Sequence, residues 1–242
     1  MKPAPKMPKG WLAWPPLVAG RLVQRYKRFL ADVALDDGRT VTAHCPNSGS
    51  MAACCQPGQP VWLSSHDDPR RKLKFTWELI RMPGSLVGVN TLVPNRLASR
   101  AITAGCIPAL AGYGPPRPEV KVDAHTRLDL MLSDGKRPDC YIEIKNCTLV
   151  EGGVALFPDA RTARGRKHLE TLARIKADGG RAVMLFIVQR SDADLFAPAD
   201  AIDPDYGRSL RQAAAAGVEI LAYDTAIDLA GIALRRPLPC RL

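Results

Sequence analysis

Apolar positions along this 242-residue chain follow two rhythms. Up to about residue 90 they alternate with polar ones, the period-two pattern of strands with one buried face. Residues 25–35 (RYKRFLADVAL) place Phe29, Ala31, Val33 and Leu35 on one face. Asp36-Asp37-Gly38-Arg39 predicts a hairpin turn into TVTAHC. PVWLSSH (60–66), KFTWELIRM (74–82) and SLVGVN (85–90) supply three more strands, separated by Pro69 and Pro83-Gly84. Five short strands within 90 residues predict a small β-barrel, for which the OB-fold is the five-stranded choice.

Beyond residue 90 helical spacing appears between strands. Pro94 opens a helix through NRLASRAIT that Gly105 closes. Strands are predicted at EVKVD (119–123), RLDLML (127–132) and CYIEIKN (140–146), then a helix over 161–178. RAVMLFIVQ (181–189) is the most apolar run and reads as a central strand. A helix near 206–217 and a strand at 218–224 complete an αβββαβαβ order, which predicts an α/β layered domain. The expected organisation is a loose arm at 1–16, a barrel at 17–88 and an α/β domain at 89–242.

Composition narrows the partners. No apolar run approaches the roughly 20 residues of a membrane span, and the basic, proline-rich start lacks the apolar core of a signal peptide. Seven cysteines without a C-x-x-C pair read as reduced thiols in a cytoplasmic protein. The formal charge is +10, with 15 Lys+Arg against 6 Asp+Glu in residues 1–100 and 19 against 18 beyond. That asymmetry points the first part at an anionic partner, nucleic acid before membrane. Arg70, Arg71, Lys72 and Lys74 adjoin Phe75 and Trp77, a mix suited to phosphate contacts and base stacking. Trp62 is expected in the core. Arg166 and Lys167, with Arg161 and Arg164, form a second basic group at a helix start, whereas His44 and His168 lack metal-ligand spacing.

The densest chemistry lies in the strand pair. Alternation puts Ile142 and Ile144 on one face of their strand and Tyr141, Glu143 and Lys145 on the other. In the preceding strand Leu128, Leu130 and Leu132 share a face opposite Asp129. If the strands pair about Lys136, Asp129 lies opposite Glu143, with Cβ atoms about 5 Å apart. Like charges so placed are destabilising unless neutralised, and a hard divalent cation, Mg²⁺ or Mn²⁺, suits carboxylate oxygens. Lys145 would then face the same site, beside a scissile phosphate. Glu119, opening the previous strand, is a candidate third carboxylate. A lone Glu-x-Lys is more often a solvated strand face; the facing aspartate and the helix that follows bring the two readings nearly level.

HCPNSGSM (44–51), RKLKFTWELI (71–80), GVNTLVPNRL (88–97), YIEIKNCTLV (141–150) and GVALFPDARTARGRKHLETL (153–172) together resemble the sugar fermentation stimulation protein A family. The resemblance implies an N-terminal OB-like domain and a C-terminal PD-(D/E)xK nuclease-like domain. It also implies DNA binding linked to regulation of sugar (maltose) metabolism genes. By position, the nuclease aspartate falls on Asp129 and the E-x-K on Glu143 and Lys145, with Leu128 where the motif has proline. Two functions follow as expectations: metal-dependent phosphodiester hydrolysis, or a non-catalytic DNA-binding regulator that uses the fold only to grip.

Overall fold

The computed structural model describes residues 7–124 and 126–242; the first six residues of the expected arm lie outside the described residues. The rest of that arm is docked. Its strand β1 (Leu12–Ala13) pairs antiparallel with the last strand of the chain, Leu12 opposite Ile232, and the Trp14 indole N–H donates to the Asp228 carbonyl at 2.8 Å. The apolar Leu12 and the partly buried Trp14 pack against the core of the C-terminal domain, so this stretch is not loose.

Five strands then close a barrel: β2 (Leu17–Tyr26), β3 (Leu30–Leu35), β4 (Thr40–His44), β5 (Pro60–Ser65) and β6 (Phe75–Met82). The order is β4-β3-β2-β5-β6, and a short parallel β4–β6 pairing seals it. β7 (Ser85–Gly88) adds to β6 as a hairpin. The alternation of Ala31, Val33 and Leu35 fills the interior with Leu63, Trp77 and Val87. The run expected as one strand over 25–35 is in fact two, broken by a three-residue turn at 27–29, and Phe29 is exposed there instead of facing the core. Trp77 is fully buried and donates its indole N–H to the Leu79 carbonyl. It fills the barrel and has no face free to stack on a base. Trp62, expected inside, is half-buried.

The second domain begins with α1 (Val93–Thr103), which carries a proline in its first turn, followed by a single 3-10 turn at Pro108–Leu110. A sheet of seven strands contains β1, β8 (Arg117–Lys121), β9 (Arg127–Leu132), β10 (Cys140–Cys147), β13 (Arg181–Val188), β15 (Glu219–Ile227) and β16 (Gly231–Pro237), in the order β1-β16-β15-β13-β10-β9-β8. β10, β13 and β15 run parallel at its centre. β11 (Leu149–Glu151), β12 (Val154–Phe157) and β14 (Leu195–Pro198) form a small separate sheet. The last two helices are α2 (Ala163–Ala177) and α3 (Pro204–Ala215), N-capped by Thr162 and Asp203.

Both faces of the large sheet are covered. Val183, Leu185 and Ile187 of β13 pack with α1 on one side, and Met184, Phe186 and Val188 pack with α2 and α3 on the other. This is why β13 is apolar without alternation. Leu128 does not share a face with Leu130 and Leu132. It packs in the α2 core and they pack in the α1 core. The alternation slips at Asp129, where β9 parts from β10.

The domains are joined through buried polar contacts. Gly88 N–H donates to the Gln189 carbonyl at 2.8 Å, and the Gln189 side chain donates to the Asn90 carbonyl and to Asn146. All seven cysteines are free. Among the described residues, no helix is long and apolar enough to cross a membrane.

Candidate functional site

β9 and β10 pair as Cys140 with Leu132, Tyr141 with Met131 and Ile142 with Leu130, the register that puts Asp129 opposite Glu143. The pairing stops at Ile142. The Asp129 carboxylate takes over, accepting the Ile144 N–H at 2.7 Å through Oδ2 and the Asn95 amide of α1 at 2.8 Å through Oδ1. The side chain thus replaces a backbone partner and wedges the strands apart, opening the sheet where the two acids sit.

Glu143 and Lys145 point to the α2 side, as alternation from Ile142 and Ile144 requires. That side is not solvent: Glu143 is buried. Lys145 Nζ lies 2.5 Å from Glu143 Oε1. His168 of α2 bonds the same oxygen through Nδ1, and Arg164 approaches the other ring nitrogen at 3.4 Å. Glu143 Oε2 is buried with no hydrogen-bond partner among the described residues.

The two acids are driven apart in protonation. Burial first, and then the charge of Glu143, raise the Asp129 carboxyl to about 6, against the opposing bonds from Ile144 and Asn95. Burial also pushes Glu143 up, but the His168 bond and the Lys145 charge outweigh it and its pKa is lowered. One carboxylate is lowered by the His168 bond and the Lys145 ammonium, while its neighbour carries a burial penalty that its contacts only partly offset.

The acids open onto a cavity of about 480 Å³ between the domains. Its barrel wall is Arg28 with the loop Asn47, Ser48 and Gly49; its far wall carries Asp159, Arg161 and Arg164. The barrel loop is braced by Arg25, whose guanidinium donates to the carbonyls of Arg28, Asn47, Gly49 and Ser50. It also touches the far wall, since Met51 N–H donates to Asp159 Oδ2 at 3.1 Å. A Cβ on Gly49 would fall 2.4 Å from both Asp159 carboxylate oxygens, so only glycine permits this approach.

Of the residues singled out from sequence, Asp129, Glu143 and Lys145 come together. Glu119 does not line the cavity; it is exposed on edge strand β8 with φ of 53°. Among the described residues, no three His, Cys, Asp or Glu side chains converge as a metal-binding group. Arg70 is held by Asp68, Arg71 donates to Thr76, and Lys74 donates to the Asp68 carbonyl. Lys72 is exposed and Phe75 packs against the barrel core. Arg166 lies near Asp203 at 3.6 Å, and Lys167 faces a different surface, with Glu170 and Arg174. Besides Lys145, the cations at the cavity are Arg28, Arg161 and Arg164. His168 and Asn95 escaped sequence reasoning because their partners lie 25 and 34 residues away, with no local spacing to reveal them.

An OB barrel joined to an α/β domain, with two acids and a lysine at the parting of two strands, defines a two-domain class. Two family models cover most of the chain: "SfsA N-terminal OB domain" over residues 23–89, and "Sugar fermentation stimulation protein RE domain" over residues 92–231. The chain belongs to the sugar fermentation stimulation protein family. It is 54% identical over 224 residues to the homolog of Geobacter sulfurreducens, covering 93% of this chain and 96% of that one. It is 51% identical over 227 residues to the homolog of Maricaulis maris, covering 93% and 97%. Among solved structures it matches Pyrococcus furiosus SfsA in complex with Ca²⁺, with TM-score 0.88, 25% identity, and coverage of 96% and 98%.

Proposed function

We propose that the protein is a divalent-metal-dependent phosphodiesterase acting on DNA. The observation that carries this reading is the Asp129–Glu143 pair, one acid raised by burial and its neighbour's charge, the other with an oxygen buried and unpartnered. Both features are penalties in a protein without a ligand at this point. A hard cation removes both.

The donor set fits such a cation. Two carboxylates with solvent or phosphate oxygens suit Mg²⁺ or Mn²⁺, which are commonly held by only one or two protein acids. The archaeal relative's complex with Ca²⁺, another oxygen-seeking cation, supports the same class of ligand. Asp129 and Glu143 Oε2 would hold the ion, which supplies charge stabilisation at a phosphoryl group and a more acidic bound water. The protein's own groups do the rest. Lys145, anchored on Glu143, places an ammonium beside the phosphate. His168 fixes the Glu143 carboxylate through Oε1, leaving Oε2 free for such an ion. Asn95 and the Ile144 N–H orient Asp129. Arg28, Arg161 and Arg164 draw the phosphate backbone into the cavity.

DNA engagement also agrees with the link to sugar (maltose) metabolism genes that the resemblance implies. The non-catalytic alternative is favoured by one observation: Lys145 and His168 already compensate Glu143 Oε1 from within. Cleavage separates the two. Purified protein with Mg²⁺ or Mn²⁺ should cut a labelled DNA substrate, and Glu143→Ala should abolish cutting while retaining affinity. A parent that binds DNA but cuts none, with either ion, sinks the enzyme reading and leaves the regulator.

A further inference from the structure

The turn between β2 and β3 is the most unusual surface of the barrel. Lys27, Arg28 and Phe29 are all exposed. Lys27 and Arg28 both adopt positive φ, 47° and 63°, a conformation that side chains other than glycine and asparagine disfavour. Two consecutive lysine and arginine residues in that region are strained. A three-residue turn of this kind is ordinarily given to glycine or asparagine.

The turn is nevertheless held rigidly. Arg25 Nε donates to the Arg28 carbonyl at 3.0 Å while the rest of the same guanidinium grips the 47–50 loop. Cys45 N–H donates to the Phe29 carbonyl at 2.8 Å. Phe29 is 46% exposed and is not among the apolar side chains packed on the barrel core. Arg28 lines the cavity that holds Asp129, Glu143 and Lys145. A rigid mount therefore presents an exposed aromatic ring next in sequence to Arg28, which lines the candidate site, in the part of the chain that carries nearly all the excess positive charge.

We propose that this turn is a base-stacking clamp, and that the strand entering the cavity is single-stranded or locally unpaired. Phe29 stacks on an unpaired base next to the phosphate presented to the acids, while Lys27 and Arg28 hold its backbone. A lone exposed ring without hydrogen-bonding atoms grips any base by its face, so the clamp is tolerant of sequence. The ring needs an unstacked base, which single strands offer freely and intact duplexes do not. The inference rests on the proposed phosphodiesterase reading only for the orientation of the strand; binding itself stands apart from cleavage.

Fluorescence anisotropy with a labelled oligothymidine and a labelled duplex, in EDTA, tests this without turnover. Phe29→Ala should weaken oligothymidine binding by about 5- to 150-fold, and Phe29→Trp should restore it. Lys27→Gly/Arg28→Gly is comfortable at positive φ, so folding is preserved. It should flatten the salt dependence by roughly 0.7 per lost phosphate contact. An oligothymidine affinity unchanged in Phe29→Ala overturns the proposal, as does a parent that binds no oligothymidine. Tighter, Phe29-dependent binding of the duplex overturns the unpaired-base assignment in favour of a wedge. If Phe29→Ala loses affinity but the parent cuts nothing with Mg²⁺ or Mn²⁺, the clamp stands and the phosphodiesterase reading fails. If Glu143→Ala abolishes cutting but Phe29→Ala binds like the parent, the reverse holds.

Discussion

Replacing Asp129 by asparagine should stabilise the protein at neutral pH, and the effect should vanish in acid. The Asp129 carboxyl is raised from 3.8 to about 6 in the folded state, by burial and by Glu143. The folded protein therefore holds this proton more tightly than the unfolded chain does, and ionisation opposes folding. The penalty is absent below pH 3.8, grows as pH rises toward 6, and is complete above it. At 1.36 kcal/mol per pKa unit it amounts to about 3 kcal/mol. Asparagine keeps an oxygen for the Ile144 N–H, and its amide can donate to Asn95 once that side chain turns over. For a chain of this size the gain corresponds to ~6–12 °C in Tm. Thermal unfolding followed by circular dichroism in EDTA, at pH 7.5 and pH 4.5, measures it. Asp129→Asn should melt higher than the parent at pH 7.5, and the gap should shrink to about a third of that at pH 4.5. Mn²⁺ should then raise the parent but not the variant. A variant less stable than the parent at pH 7.5, or a difference independent of pH, would refute the claim that Asp129 is electrostatically strained.

Other outcomes follow from the same geometry. Trp77→Ala should cost about 3–5 kcal/mol, read as a lower urea midpoint, because the ring fills the barrel and is no surface platform. Arg25→Ala should lose about 2 kcal/mol and expose the 47–50 loop to limited proteolysis, since one guanidinium satisfies four carbonyls there. Arg28→Ala/Arg161→Ala/Arg164→Ala should reduce the salt dependence of DNA binding more than Arg70→Ala/Arg71→Ala/Lys72→Ala does. Arg70 and Arg71 already have partners within the barrel, whereas the first three border the cavity; equal slopes from the two triple variants would contradict this placement.

The strand pair was legible from sequence because a hairpin is nearly symmetric about its loop. Placing the centre at Lys136 brings Asp129 opposite Glu143, and the observed ladder runs in that register. Alternation also separated Glu143 and Lys145 from Ile142 and Ile144. It could not say that α2 covers the far side, because coverage is a property of a helix 20 residues on. His168 stayed hidden for the same reason. In the barrel, the start of β2 (LVAGRLVQRY) escapes a period-two reading because its burial does not alternate cleanly, and merging its end with β3 assigns Phe29 to the core. Trp77 turns into the barrel while Trp62, between the buried Val61 and Leu63, is only half-buried, and both sit on strands whose inward face a lone aromatic does not announce. The basic runs were visible as charge, but local Asp68 and Thr76 partners, absent from any charge count, decide which cations remain available.

The central claim is that Asp129 and Glu143 are arranged for a cation, and calorimetric titration with Mn²⁺ tests it most directly. The parent should bind one ion per chain. At pH 6, where Asp129 is about half protonated, binding should release a fraction of a proton, seen as a heat that changes with the ionisation enthalpy of the buffer. At pH 8 that release should disappear, and Asp129→Asn and Glu143→Gln should each abolish the site. Binding that persists unchanged in both variants, or no binding by the parent at either pH, would contradict the account.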